Sequence, residues 1–207
     1  MSAVAEPKPY DRVFDAQKHY RTLLQCTARP GTIGQLDDAL IEVPPQLNRA
    51  SALLALTLLS ADCTFHVTEE TPAAEQFLRG ETMARPVAAE EADFLFVTDA
   101  GRTEEVDRAK PGILAYPEQG ATVVVQVNAL SPAPMPNALR LALSGPGIES
   151  EAVVFVLGAP ERLFEILRDR NAEFPLGVDA YLTCDSLSAG PCVLGLPRTT
   201  RIAWERV

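Results

Sequence analysis

From Ala50 to Leu59 the chain carries no charge, and only Ser51 and Thr57 interrupt the alanines and leucines. A helix over Ala52–Leu59 is apolar all the way round, so it must be buried on most sides. A bilayer asks for about twenty apolar residues in succession, and this run, the longest in the chain, is half that. The segment therefore predicts a helix inside a layered globular fold, with Ser51 placed to cap its first turn.

The rest of the sequence supplies both kinds of layer. Ala16, Tyr20, Leu23, Leu24 and Thr27 share one face of a helix that Arg29-Pro30-Gly31 stops. Thr71-Pro72 opens a short helix through Leu78, and Thr103-Glu104-Glu105 opens another that Lys110-Pro111-Gly112 closes. Pro160 starts a fourth, carrying Leu163, Phe164, Ile166 and Leu167, with Arg168 and Arg170 in its last turn. Strands are expected at Phe65–Thr68, Phe94–Thr98, Ala121–Val127, Ala138–Leu143, Ala152–Leu157, Val178–Cys184 and Val193–Leu196. Helices and strands alternate without a repeat or a linker. The expectation is one three-layer α/β domain over residues 14–207, a mixed β-sheet flanked by helices, preceded by a tail over residues 1–13.

Charge excludes some partners. The net charge is −10, which argues against nucleic acid, since phosphate backbones need a basic face. Eleven acids against three arginines between Glu69 and Asp107 put −8 on that stretch alone. Basic residues gather at the two ends: Lys8, Arg12, Lys18, Arg21 and Arg29, then Arg198, Arg201 and Arg206. Two readings stay open, a solvated surface with scattered counter-charges or two basic ends that meet before an anion. The N-terminus has no apolar core of signal-peptide length, so no membrane and a cytoplasmic setting are expected.

Chemistry-bearing motifs are sparse. Glycine-rich phosphate loops and a nucleophile elbow do not occur. The four cysteines have no metal-ligand spacing, and the two histidines, His19 and His66, read as hydrogen-bonded packing residues. Of the three lysines, Lys8 falls in the tail, Lys18 on an exposed helix face and Lys110 in a turn, so none is an obvious Schiff-base residue. Asp99 follows an apolar strand, where α/β proteins often build sites. Asp179 lies within a strand and needs a partner, for which an arginine would suit. Arg198-Thr199-Thr200-Arg201 puts two guanidinium groups beside two hydroxyls, fit either for a phosphate or phosphonate oxygen or for a subunit contact.

Longer segments carry a resemblance. Phe14-Asp15-Ala16-Gln17, Tyr20-Arg21-Thr22-Leu23-Leu24 and Arg29-Pro30-Gly31 open the chain. Phe96-Val97-Thr98-Asp99, Pro117-Glu118-Gln119-Gly120-Ala121-Thr122 and Leu139-Arg140-Leu141 with Ser144-Gly145-Pro146-Gly147-Ile148 occupy its middle. Phe174-Pro175-Leu176-Gly177-Val178-Asp179, Leu182-Thr183-Cys184 and Leu196-Pro197-Arg198-Thr199-Thr200 close it. In this order and spacing they resemble the PhnH family along most of the chain. The departures are small: Cys26-Thr27-Ala28 stands where a methionine-containing turn is expected, and Val178 replaces an isoleucine.

The resemblance implies a fold related to pyridoxal-phosphate-dependent transferases without the cofactor. It implies a homodimer that joins three other subunits in the carbon-phosphorus lyase core complex. That complex, with further proteins, exchanges the adenine of ATP for a phosphonate, giving a ribose 1-phosphonate 5-triphosphate. A separate iron-sulfur, S-adenosylmethionine-dependent subunit then cleaves the carbon-phosphorus bond, and the cysteine pattern here could not hold that cluster. The expected role is assembly, with no catalytic residue, metal or cofactor. The alternative is a phosphonate- or nucleotide-binding subunit with a cleft at the dimer interface. Arg21, Asp99, Asp179, Arg198, Thr199 and Thr200 are the candidates for ligand or interface contacts.

Overall fold

The structure, a computed structural model, describes residues 8–68 and 71–207. Its first half runs α1 (Phe14–Ala28), β1 (Ile33–Gln35), α2 (Arg49–Leu58), β2 (Thr64–Val67), α3 (Pro72–Thr82), β3 (Arg85–Pro86), β4 (Phe94–Val97) and β5 (Thr122–Gln126). Its second half runs β6 (Ala129–Ser131), β7 (Leu139–Ser144), β8 (Ala152–Leu157), α4 (Glu161–Arg170), β9 (Asp179–Ser186), β10 (Gly190–Leu196) and β11 (Arg201–Arg206).

Seven strands form a mixed sheet in the order β1-β10-β9-β5-β4-β2-β3. From β9 to β3 the neighbours run parallel, while β10 and β1 pair antiparallel at the other side. Strand alternation sends Phe96, Val124, Tyr181 and Val193 to one face, where α1, α2 and α3 bring Leu23, Leu53, Leu54 and Leu78. Leu95, Val97, Val123, Val125 and Leu182 point the other way.

That second face departs from the expected helical cover. A four-stranded antiparallel sheet, β11-β7-β8-β6, lies there together with α4. The reason is visible along β7, where buried Leu139, Leu141 and Leu143 alternate with half-buried Arg140, Ala142 and Ser144. A strand with one apolar edge per pair of residues needs only one covered face, and antiparallel sheets tolerate water on the other. The architecture is thus helices, mixed sheet, then a layer shared by a second sheet and one helix.

Local expectations change as well. The cap of α2 is Asn48, whose side chain accepts the Ser51 N–H at 2.7 Å. Ser51 instead turns inward, its hydroxyl 2.8 Å from that of Thr183. The helix expected from Thr103 shrinks to one 3₁₀ turn, Val106–Arg108, with the preceding Glu105 side chain bonded to His66. Arg201 begins β11, a strand the sequence did not mark, paired along β7. Residues 8–13, within the stretch assigned to a tail, are docked: Leu40 donates to the Lys8 carbonyl, and Tyr10 stacks on His19.

Candidate functional site

The candidate residues separate to opposite ends of the mixed sheet. Asp179 opens β9 opposite Thr122, at the amino end of the parallel strands. Because β10 runs back beside β9, Arg198, Thr199 and Thr200 arrive at that same end. Asp99 follows β4 and lies at the carboxyl end. Arg21 is exposed on α1, on the helical side of the sheet, with no polar contact to any of these.

At the amino end, Arg198 and Asp179 hold each other. One carboxylate oxygen accepts from Arg198 Nη2 at 2.7 Å, and the other accepts the Arg198 backbone N–H at 2.8 Å and its Nε at 3.3 Å. The remaining guanidinium nitrogen donates to the carbonyls of Pro117 and Pro175, at 2.7 and 3.4 Å. One side chain, 13% exposed, thereby joins β9, the Pro117–Gln119 turn, the Phe174–Pro175 loop and the exit of β10. Gly120 is required beside it, since a Cβ there would sit 2.4 Å from the Gly177 carbonyl and 2.9 Å from Arg198 Nη1. The arrangement is a fork-on-fork ion pair of the strong kind, and it leaves the guanidinium little capacity for a ligand.

A cavity of about 690 Å³ opens next to this pair. Arg198, Thr199, Thr200 and Arg201 form one wall, Leu167, Arg168 and Asn171 of the α4 end another, with Phe174 and Pro146 at the rim. Thr200 is 7% exposed and its Oγ1 has no hydrogen-bond partner. Sequence reasoning missed Arg168 and Phe174 here. Arg168 read as a partner of its own helix end, and nothing local marks the approach of α4 to β11.

Asp99 faces a smaller, polar crevice with Asn48, Gln126, Asn128 and Asp185. Its carboxylate accepts the Gly101 N–H at 2.9 Å, forming a turn. The neighbouring groups are committed to structure. Asp185 accepts the Arg49 and Ala50 N–H groups at 2.8 and 3.0 Å, filling the start of α2. Gln126 donates to the carbonyls of Gln46 and Thr98 and accepts the Asn48 N–H.

Reactive side chains elsewhere are similarly occupied. Lys8, Lys18 and Lys110 pair with Asp15, Asp37 and Asp93 at 3.0, 3.4 and 2.6 Å. The basic ends therefore do not form one face, since Arg12 also pairs with Glu81 and Arg206 with Glu161. His66 bonds the Val87 carbonyl and the Glu105 carboxylate. His19 is buried, its Nε2 bonded to the Asp37 carbonyl at 3.0 Å, and burial pulls its pKa down. Cys184 and Cys192 face each other as paired residues of β9 and β10, and burial pushes the Cys184 thiol up to about 12. Burial also raises Cys26. Among the described residues no three acids, cysteines or histidines cluster as a metal site, and no helix is long and apolar enough to cross a membrane.

Comparison with known proteins bears on the whole length. A family model described as bacterial phosphonate metabolism protein (PhnH) matches residues 8–203. A protein of Rhizobium meliloti (strain 1021), named alpha-D-ribose 1-methylphosphonate 5-triphosphate synthase subunit PhnH, is 33% identical over 198 residues, 94% of each chain. A protein of Stutzerimonas stutzeri, named "Putative C-P lyase subunit protein HtxG", is 32% identical over 186 residues, 90% of this chain and 85% of that one. The segments that hold the Arg198–Asp179 pair in place all lie inside the matched span. The chain belongs to the PhnH family of bacterial phosphonate metabolism proteins.

Proposed function

We propose that the chain is a subunit of the carbon-phosphorus lyase core complex of phosphonate catabolism, required for assembly and not catalytic alone. The observation that carries this reading is the near end-to-end match to a relative named as a subunit of the ribose 1-methylphosphonate 5-triphosphate synthase. The state of the reactive side chains supports the non-catalytic part. Each lysine is ion-paired, each histidine is held by a carbonyl, and burial raises the thiols of Cys26, Cys184 and Cys192, so a poised nucleophile is lacking in these groups.

Finer parts of the reading rest on the family resemblance. The seven-stranded mixed sheet fits a scaffold derived from pyridoxal-phosphate-dependent transferases, with the cofactor lost. A homodimer in the cytoplasm is the form expected before assembly. Exposed Val13, Phe14, Tyr20 and Leu24 along α1 suit a subunit contact.

The test is affinity purification of tagged protein from cells grown on a phosphonate as sole phosphorus source. Recovery of the other lyase subunits in fixed ratio is the expected outcome. Elution of this chain by itself, with those subunits expressed but absent from the eluate, sinks the assembly role.

A further inference from the structure

The register of β9 on β10 sets Cys184 directly opposite Cys192. Both strands lie inside the main sheet, with β5 beyond one and β1 beyond the other, so the pair sits on a braced backbone. Their side chains share the face of Leu182 and Leu194. Cys184 is 1% exposed and Cys192 5%, their thiols interact directly, and neither is in a disulfide. Buried cysteines commonly pack as small hydrophobes. What distinguishes this pair is the facing thiol. Cys26 meets the Val193 carbonyl at 3.7 Å and Cys63 the Ser60 hydroxyl at 3.6 Å.

Directly opposed residues of an antiparallel pair have Cα atoms about 4.5 to 5.5 Å apart. A disulfide spans about 4.4 to 6.8 Å between Cα atoms. The two sulfurs can therefore join by side-chain rotation, without moving a strand. Cys192 is the member nearer to solvent. Its thiol bonds the carbonyl of Gly190, the first residue of β10 after the hairpin turn, at 3.4 Å, and Leu187 in that turn is fully exposed.

We propose that Cys184 and Cys192 form a modification site, a dithiol that hydrogen peroxide converts to a cross-strand disulfide. The Cys192 thiolate attacks one peroxide oxygen, the O–O bond breaks, and the departing hydroxide takes up the thiol proton as water, leaving a sulfenic acid. The Cys184 sulfur then attacks the Cys192 sulfur. An S–S bond replaces the S–O bond, and the released hydroxide carries off the Cys184 proton as a second water. Each sulfur gives up one electron, and the peroxide oxygens are reduced. Burial raises both thiols, so thiolate is scarce and the reaction is slow near neutral pH, as befits groups that are not poised nucleophiles. The same burial denies the reduced form any thiolate stabilisation and shields the bridge, so it persists once made. The proposal goes beyond the assembly role and does not depend on it.

The test adds hydrogen peroxide to the reduced, native, full-length protein and then alkylates the remaining thiols. Trypsin releases residues 171–198 as one piece that holds both cysteines. The expected result is the loss of two hydrogens from that piece, reversed by reductant in urea, and faster at about pH 9 than at about pH 7 as thiolate grows. The melting temperature should rise by roughly 5 °C, because the bridge closes a loop in the unfolded chain. Cys192→Ala should show no rise on peroxide treatment, whatever its own starting temperature. Full alkylation of both cysteines after peroxide overturns the proposal. So does oxidation to sulfinic or sulfonic acid without a bridge, a bridge to Cys26 or Cys63 instead, or a bridge that forms only in urea.

Discussion

Arg198 donates to the Asp179 carboxylate and to two proline carbonyls from separate loops, so its removal strips partners from three segments at once. Arg198→Ala is expected to lower unfolding stability by about 2 kcal/mol, below the figure for a fully buried pair because Asp179 retains some solvent. Arg198→Lys should recover little, since an ammonium cannot match the fork. Urea denaturation of both variants, with Asp179→Asn completing a double-mutant cycle, measures the coupling; additivity within error would show that the pair is not a unit. His19 sets a second expectation. Burial first, against the raising effect of the Asp37 carbonyl, the Asp37 and Asp15 carboxylates, leaves its pKa below the ordinary 6.5. A depressed histidine binds fewer protons folded than unfolded, so its contribution is complete above about pH 6.5 and is lost as the pH falls. The urea midpoint should therefore drop between pH 7 and pH 5, and His19→Gln should flatten that part of the profile. An identical slope in the variant would place the pH dependence elsewhere.

Elements with their own periodicity were legible in the sequence, and those defined by their neighbours were not. Helical spacing of apolar residues predicts α1, but its buried face is Asp15, His19, Leu23 and Cys26 and not the expected one, since Tyr20 and Leu24 are exposed. The Leu163–Phe164–Ile166–Leu167 cluster predicts α4 with its buried face. In contrast β1 and β3 hold three and two residues, too few for any alternation to register. The second sheet was hidden for another reason. Its strands β7 and β8 read correctly, but their partner β11 lies in a stretch, Arg201–Arg206, whose charges suggest a site and whose pairing is set by residues about sixty positions away. The candidate site shows the same division. Asp179 called for an arginine, and Arg198 provides one; the separation of Asp99 to the far end follows from strand directions that no local pattern encodes. For α2, Asn48 was overlooked because Ser51 stands nearer the apolar run. Asn48→Ala is expected to cost about 1 kcal/mol as a lost cap, with a little more from its bond to the Thr183 carbonyl at 3.2 Å. Ser51→Ala should leave the helix start intact and remove the 2.8 Å partner of the Thr183 hydroxyl, which keeps its longer bond to the Val125 carbonyl at 3.3 Å. Thermal melts that rank the two variants alike in helix content would contradict this division of roles.

Both cores share the mixed sheet, one on each face, so the layers are expected to unfold together. Trp204 belongs to the second sheet and packs 6.1 Å from Phe164, whereas most helical signal arises from α1, α2 and α3 across the sheet. Tryptophan emission and far-ultraviolet ellipticity should thus trace one coincident urea transition. Separate midpoints would mean that the layer of β6, β7, β8, β11 and α4 melts as its own unit.

The strand order also governs how the protein can be made. β9 and β10 stand between β5 and β1, so the middle of the main sheet comes from Asp179 onward, while its two flanks are synthesised far earlier. A ribosome-bound chain that has reached Gly177 owns β1, β2, β3, β4 and β5 but lacks the strands that join β1 to the others. Val124 and Val125 then have one neighbour each in place of two. Closure waits for the final segment, which delivers β10 and Arg198 almost together. The main sheet can close only once this segment has been made, and truncations that remove it should yield insoluble fragments in place of shortened, working proteins.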